Sequence, residues 1–170
     1  KQIGQSKETS RPLYQALPIA HVLETHGIEI EADQGFKDFI YKLRNFKELA
    51  PLDVPKSFQG SLREYQKEGF NWLAFLREYG LAGILADDMG LGKTIQALTL
   101  LLYHHKNHSQ RQPSLVVAPT SVVYNWLAEA EKFTPQLTTA LYLGRDRTEL
   151  LAKLKKDSKN KPDVIFTTYG

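Results

Sequence analysis

The sequence contains no cysteine, which excludes disulfides and thiolate metal centres and leaves no trace of the redox compartment. No apolar stretch approaches the ~20 residues that span a bilayer. Lys1-Gln2-Ile3-Gly4 also lacks the charged-then-apolar order of a signal peptide, so the expectation is a cytosolic protein. There is no internal repeat. Charge of one sign does not dominate either: 22 Lys and Arg face 19 Asp and Glu. Residues 1 to 60 hold 8 of each sign and residues 61 to 170 hold 14 basic against 11 acidic, so the excess of +3 lies wholly in the second part. Such a surface suits nucleic-acid phosphates and equally a plain solvated exterior. What is present, 42% apolar and 24% charged residues in a chain of 170, is the make-up of a globular chain with a core. Lys1 is not an initiating Met, and Thr167-Thr168-Tyr169-Gly170 directly follow an apolar run. Both suggest a piece of a longer domain.

Along the chain, Lys1 to Pro18 is polar with two prolines and reads as an extended lead. Ile19 to Thr25 predicts a short helix ended by Gly27, and Ile28 to Glu31 alternates as a strand does. Asp33 is placed to cap a helix whose Phe36, Phe39, Ile40, Leu43 and Phe46 recur at helical spacing. Pro51, Pro55 and Gly60 punctuate a linker, with a module boundary expected near residues 50 to 60. From Ser61 the pattern becomes α/β alternation. A helix over Leu62 to Tyr79, a strand over Leu81 to Ala86, a helix over Thr94 to Tyr103 and a strand over Ser114 to Ala118 come first. A helix over Ser121 to Phe133, a strand over Ala140 to Leu143, a basic helix over Arg147 to Lys156 and a strand over Val164 to Phe166 complete it. This spacing predicts an α/β fold, a parallel sheet with helices on both faces. Ligands of such sheets bind beyond the carboxyl ends of the strands, where Asp87 to Gly92, Pro119 to Ser121 and Thr167 to Tyr169 fall.

The sharpest motif is Asp87-Asp88-Met89-Gly90-Leu91-Gly92-Lys93-Thr94, between that apolar run and an amphipathic helix. Glycines without Cβ let the backbone wrap round phosphate oxygens, Lys93 would meet the β- and γ-phosphates, and Thr94 would offer a hydroxyl to Mg²⁺. The dipole of the helix that follows points at the same anion. The general phosphate-loop template asks for Gly where Asp87 stands. An ordinary left-handed turn with a chance lysine is the competing reading, and the strand–loop–helix context disfavours it.

Four ordered blocks resemble the SWI/SNF-related ATPases of helicase superfamily two. Leu62-Arg63-Glu64-Tyr65-Gln66-Lys67-Glu68-Gly69-Phe70-Asn71-Trp72-Leu73 is similar to their adenine-recognising Q motif and Asp87 to Thr94 to their motif I, in a form distinctive of the family. Val116 to Trp126 resembles motif Ia and Val164 to Gly170 motif Ib. The resemblance implies a P-loop, RecA-like lobe over residues 61–170, truncated before the acidic Walker B block, with residues 1–60 as a mainly helical extension or regulatory lead similar in layout to that of bacterial members. It implies ATP and Mg²⁺ as cofactors, held by Arg63, Gln66, Asp88, Met89, Gly90, Leu91, Gly92, Lys93, Thr94 and Ile95. Gln66 would face the adenine edge and Lys93 and Thr94 would serve the chemistry. It further implies double-stranded DNA as partner, its backbone met by Pro119, Thr120, Ser121, Thr167 and Thr168, and an unnamed protein moved along it. The setting would be the bacterial cytosol, or the nucleus of a eukaryote, and these 170 residues would be monomeric with negligible ATPase activity by themselves.

Blander readings stand beside these. From pattern alone Gln66 and Arg63 are exposed helical residues, and Thr120 or Ser121 caps a helix. Tyr65, Phe70, Trp72, Leu73 and Trp126 read as packing residues. His104, His105 and His108 lack a fourth ligand nearby for zinc, and Lys153, Lys155, Lys156, Lys159 and Lys161 read as a solvated run. A P-loop kinase, or a nucleotide-binding interaction module without turnover, are the alternative functions. The kinase fits poorly because 86 residues precede the loop.

Overall fold

The computed structural model describes residues 18, 22, 25–26, 33–44, 49, 51–107, 112–144, 147–156 and 161–169. The expected strand at Ile28 to Glu31 lies outside them, as does most of the helix expected at Ile19 to Thr25, of which Val22 and Thr25 are helical. The chain divides into two units, Lys1–Leu49 with Phe75–Gly83, and Ala50–Ala74 with Ile84–Gly170.

In the first unit, α1 (Gln34–Arg44) starts where the sequence places it. The Asp33 carboxylate accepts the Phe36 N–H at 2.8 Å, satisfying a donor that the helix itself leaves open. From the apolar stripe of α1, Phe39 is buried and meets Tyr79 at 6.1 Å between ring centroids, and Tyr79 in turn meets Phe75 at 4.6 Å. The helix α2 (Glu64–Glu78) closes with the Gly80 N–H on the Arg77 carbonyl and the Leu81 N–H on the Leu76 carbonyl, the paired bonds of a Schellman ending.

The second unit holds α3 (Lys93–Asn107), β1 (Ser114–Val117), α4 (Thr120–Phe133), β2 (Thr139–Tyr142), α5 (Arg147–Lys156) and β3 (Val164–Thr167). The strands form a parallel sheet in the order β1-β3-β2, with Ser114 and Thr139 both opposite Val164. The register puts Val116, Phe166 and Leu141 on one face, against which Val123, Trp126 and the α3 residues Leu98 and Leu102 close the core. Phe70, Leu98, Val123, Val164 and Phe166 are wholly buried, and such a side chain contributes about 1.5–3 kcal/mol. On the opposite face the Arg147 guanidinium stands 5.4 Å from the Tyr142 ring, while Leu115 stays 63% exposed at the β1 edge.

Two expectations are corrected. Leu81 to Ala86 forms no strand, so among the described residues three strands stand where four were expected from Ser61 onward. A strand needs a paired neighbour; among the described residues β1, β2 and β3 pair only with each other, and Ile84 is 87% exposed. The proline-punctuated stretch is also no free linker. Phe58 is buried and stacks on Phe133 at 6.1 Å, and the Gln59 N–H donates to the Phe133 carbonyl at 2.8 Å, so this segment is part of the second unit's core.

The strand beginnings are clasped by Asp163. Its carboxylate accepts from the Thr138 N–H at 2.8 Å and the Thr138 hydroxyl at 2.9 Å, and its carbonyl accepts the Ser114 N–H at 2.8 Å. Its other oxygen lies 3.3 Å from Nδ1 of His105, whose Nε2 is 3.2 Å from the Ser114 hydroxyl. Ser, His and Asp here follow the order of a hydrolase triad. The Ser114 N–H is already engaged by Asp163, and the imidazole is 3% exposed, so the cluster is a clasp joining α3 to the sheet. Among the described residues no group of acidic and histidine side chains could hold a metal ion, and no helix is long and apolar enough to cross a membrane.

On α4, burial pushes the Glu129 carboxyl up from its ordinary value, opposed by Lys132 one turn on. The folded state then holds this proton more tightly than the unfolded chain. Stability from this group is therefore present at low pH and is lost as pH rises through the carboxylate range. Glu129→Gln is expected to raise the melting temperature at neutral pH, the gap closing as the pH is lowered; melts across that range check it.

Candidate functional site

The loop from Asp87 to Gly92 enters α3 through two glycines in the left-handed region, Gly90 at φ +84° and Gly92 at φ +79°. For residues with a side chain that region costs about 1–3 kcal/mol. The two positions nevertheless differ. A Cβ on Gly90 would meet nothing within 4 Å, whereas one on Gly92 would lie 2.6 Å from Gln66 Nε2 and 2.9 Å from Ile95 Cγ2. Gly90→Ala should thus carry the backbone cost alone. Gly92→Ala should carry that cost and also displace Gln66, which predicts the lower melting temperature of the two.

Lys93, at the first position of α3, folds back on the loop. Its ammonium donates to the Asp87 carbonyl at 2.6 Å and the Asp88 carbonyl at 2.9 Å. Thr94 and Ile95 follow it half-buried, while Asp88 and Leu91 are exposed and Met89 is 97% exposed at the loop's tip.

Gln66 is not the exposed helical residue that pattern alone suggests. It is buried, and its Nε2 donates to the Leu91 carbonyl at 3.1 Å, an acceptor it shares with the Tyr65 hydroxyl, also at 3.1 Å. Its Oε1 accepts the Arg63 N–H at 2.9 Å. Gln66 lies three positions after Arg63, so this is the returning half of a capping box, and the residue ties the start of α2 to the Asp87–Gly92 loop. Arg63 itself is exposed.

Sequence reasoning missed Gln96. It is wholly buried, and its Nε2 donates to Asp87 Oδ2 at 2.9 Å. Its Oε1 has no hydrogen-bond partner among the described residues, an arrangement that costs about 1–3 kcal/mol. The one mark the sequence offers is an amide within the largely apolar run Ile95 to Leu102, which does not name Asp87 as its partner.

The other expected contacts gather at the carboxyl ends of β1 and β3, which are neighbours: the Ala118 N–H donates to the Thr167 carbonyl at 2.9 Å. Pro119, Thr120 and Ser121 are exposed there at the start of α4. No side chain caps that helix, so the capping reading of Thr120 and Ser121 is not realised. Thr167 ends β3 beside them. It is buried, and its hydroxyl donates to the Tyr142 carbonyl at 2.8 Å, locking β3 to β2. Thr168 is half-buried and Tyr169 is 80% exposed beyond it. Trp126 packs 6.4 Å from Phe166, as a core residue should.

Comparison with known proteins gives a consistent picture. The chain is 42% identical over 146 residues to YwqA of Bacillus subtilis, named as a candidate ATP-dependent helicase/translocase, covering 85% of this chain and 15% of that protein. Against Helicase SWR1 of Candida albicans the identity is 41% over 153 residues, covering 86% and 9%. Among solved structures, the Sulfolobus solfataricus SWI2/SNF2 ATPase core in complex with dsDNA is 38% identical with a TM-score of 0.59, covering 71% of this chain and 24% of that one. The chain thus spans under a quarter of the length of each of these. The pattern of the SNF2-related domain matches residues 65–170, and the chain belongs to that family.

Proposed function

We propose that this chain is the nucleotide-binding part of a DNA-dependent ATPase that translocates on double-stranded DNA and displaces or remodels protein bound there. The observation that carries the reading is the loop from Asp87 to Lys93. Two left-handed glycines, an ammonium resting on two carbonyls and the Gln66 amide against the loop are the parts a nucleoside triphosphate requires, and they sit together. Lys93 exchanges neutral carbonyl partners for anionic phosphate oxygens, which adds the attraction of opposite charges to the hydrogen bonds. Gln66 presents a donor and an acceptor to adenine, and the Thr94 hydroxyl is the side chain for Mg²⁺. Met89, Leu91 and Ile95 shape the loop, while Arg63 lies at the purine end.

The strand-end edge takes the DNA backbone. Pro119 leaves the first N–H groups of α4 uncapped beside the Thr120 and Ser121 hydroxyls, with Thr168 on the neighbouring strand end. Contacts of this kind position a duplex without reading its sequence. In the matched Sulfolobus structure an SWI2/SNF2 ATPase core is held with dsDNA, which supports the reading. Thr167 serves this edge only from behind, by fixing β3.

The deciding experiment is ATP hydrolysis by the full-length protein with and without duplex DNA. Stimulation by duplex is expected, and ATP binding with no DNA-stimulated turnover would leave the interaction-module reading instead. Changing Thr120 and Ser121 together to Ala is expected to weaken DNA binding evenly across sequences. Because both hydroxyls are neutral, the salt dependence should keep its slope.

A further inference from the structure

We propose that Gln96 is a positioning residue of the nucleotide site, holding the Asp87 carboxylate at the entrance of the phosphate loop. The inference rests on the reading of that loop as the ATP site. Gln96 comes within one helical turn of Lys93 but faces the interior, wholly buried, and does not touch the region where phosphate would sit. Its amide is fixed at both ends. A carboxylate only accepts, so the nitrogen must face Asp87 Oδ2, at 2.9 Å, and the oxygen is left facing α2. There it presses on Gly69, where a Cβ would overlap Oε1; a residue without a side chain is what gives the amide its seat. The oxygen finds no hydrogen-bond partner among the described residues.

A buried amide with one end unsatisfied is a poor choice for packing, since Leu or Met of similar volume would fill the space without that cost. What the amide supplies and an apolar side chain does not is a donor for Asp87. Asp87 stands where the general template has glycine, so its side chain must be kept clear of the loop's interior, and Gln96 draws it to the helix side. The Asp87 carbonyl is at the same time an acceptor for Lys93. Holding Asp87 therefore also holds the backbone from which Lys93 departs toward a phosphate.

The test uses the full-length protein and titration with a fluorescent ATP analogue, with melts alongside. Gln96→Met keeps the volume and removes the donor, and is expected to weaken nucleotide binding about tenfold, as is Asp87→Ala. The double variant is expected to be no worse than the poorer single one, because both break the same bond. Asp87→Asn keeps an acceptor for Gln96 and is expected to bind within about twofold of the parent. Full additivity in the double variant, or parental affinity in Gln96→Met, overturns the proposal. So does an Asp87→Asn variant as weak as Asp87→Ala, because charge rather than the held position would then matter. If Gln96→Met fails to fold, the two Asp87 variants decide alone, since that side chain lies at the surface of the core. Lys93→Ala is titrated in parallel. Its loss of affinity with an unaffected Gln96→Met sinks this proposal only, whereas parental affinity in Lys93→Ala sinks the ATP-site reading and this proposal with it.

Discussion

Lys93→Ala in the full-length protein is expected to weaken ATP binding by about 100-fold or more while leaving the melting temperature nearly unchanged. The size of the effect follows from what the ammonium gives up and gains. In the free protein it makes two hydrogen bonds to neutral carbonyls of its own loop. Both sets of bonds use the charged ammonium, but phosphate oxygens are anionic as well, and unit charges ~4 Å apart attract by about 4 kcal/mol at an effective dielectric of about 20, so the exchange favours phosphate by a few kcal/mol. Each 1.4 kcal/mol is about a factor of ten in affinity. Stability should barely move, because Lys93 occupies the first position of α3, where alanine is a good helix former, no core side chain is lost, and water takes the ammonium's place at the loop carbonyls. Titration with a fluorescent ATP analogue and a thermal melt of the same sample check both halves. Retained affinity would falsify the assignment of the loop.

The second large effect concerns folding. Asp163→Ala is expected to cost about 2–4 kcal/mol, since it removes the acceptor for two Thr138 donors and the carboxylate beside a buried imidazole at one stroke. Thr138 is exposed and water replaces part of what it loses, while the buried His105 imidazole loses the carboxylate 3.3 Å from its Nδ1. At roughly 4 °C or more per kcal/mol for a unit of this size, the melting temperature should fall by on the order of 10 °C. Asp163→Asn keeps one good acceptor and should lose less. A variant melting within a degree of the parent would show the clasp to be incidental.

The sequence was most readable where signals are local. The α2, α3 and α4 helices and all three strands appear within a few residues of their expected places, because apolar period and capping act over one or two turns. The run Leu81 to Ala86 misled because strand pairing is not local: the same apolar residues form a strand only when a neighbour's backbone is available. Within the site, the glycines and Lys93 were visible as a motif, whereas Gln66 needed the family resemblance, since nothing in helical spacing says that its amide turns inward. Thr167 shows a contact that no motif announces. The motif marked the residue, but the sheet register directs its hydroxyl to Tyr142. Asp163 and Gln96 each act through a partner far along the chain or buried behind the loop, and neither carries a compositional mark strong enough to announce that partner.

On the proposed reading of Gln66 as the amide that meets the base, its full engagement bears on selectivity among bases. An amide already satisfied by Leu91 and Arg63 turns toward a ligand only if the ligand's offer exceeds what the backbone gives. Apparent affinity is then the intrinsic affinity scaled by the fraction of molecules in which that amide is released. A base able to match both its donor and its acceptor meets this threshold, and one matching a single group does not. The loop's own carbonyl thereby serves as the competitor against which every incoming purine is weighed.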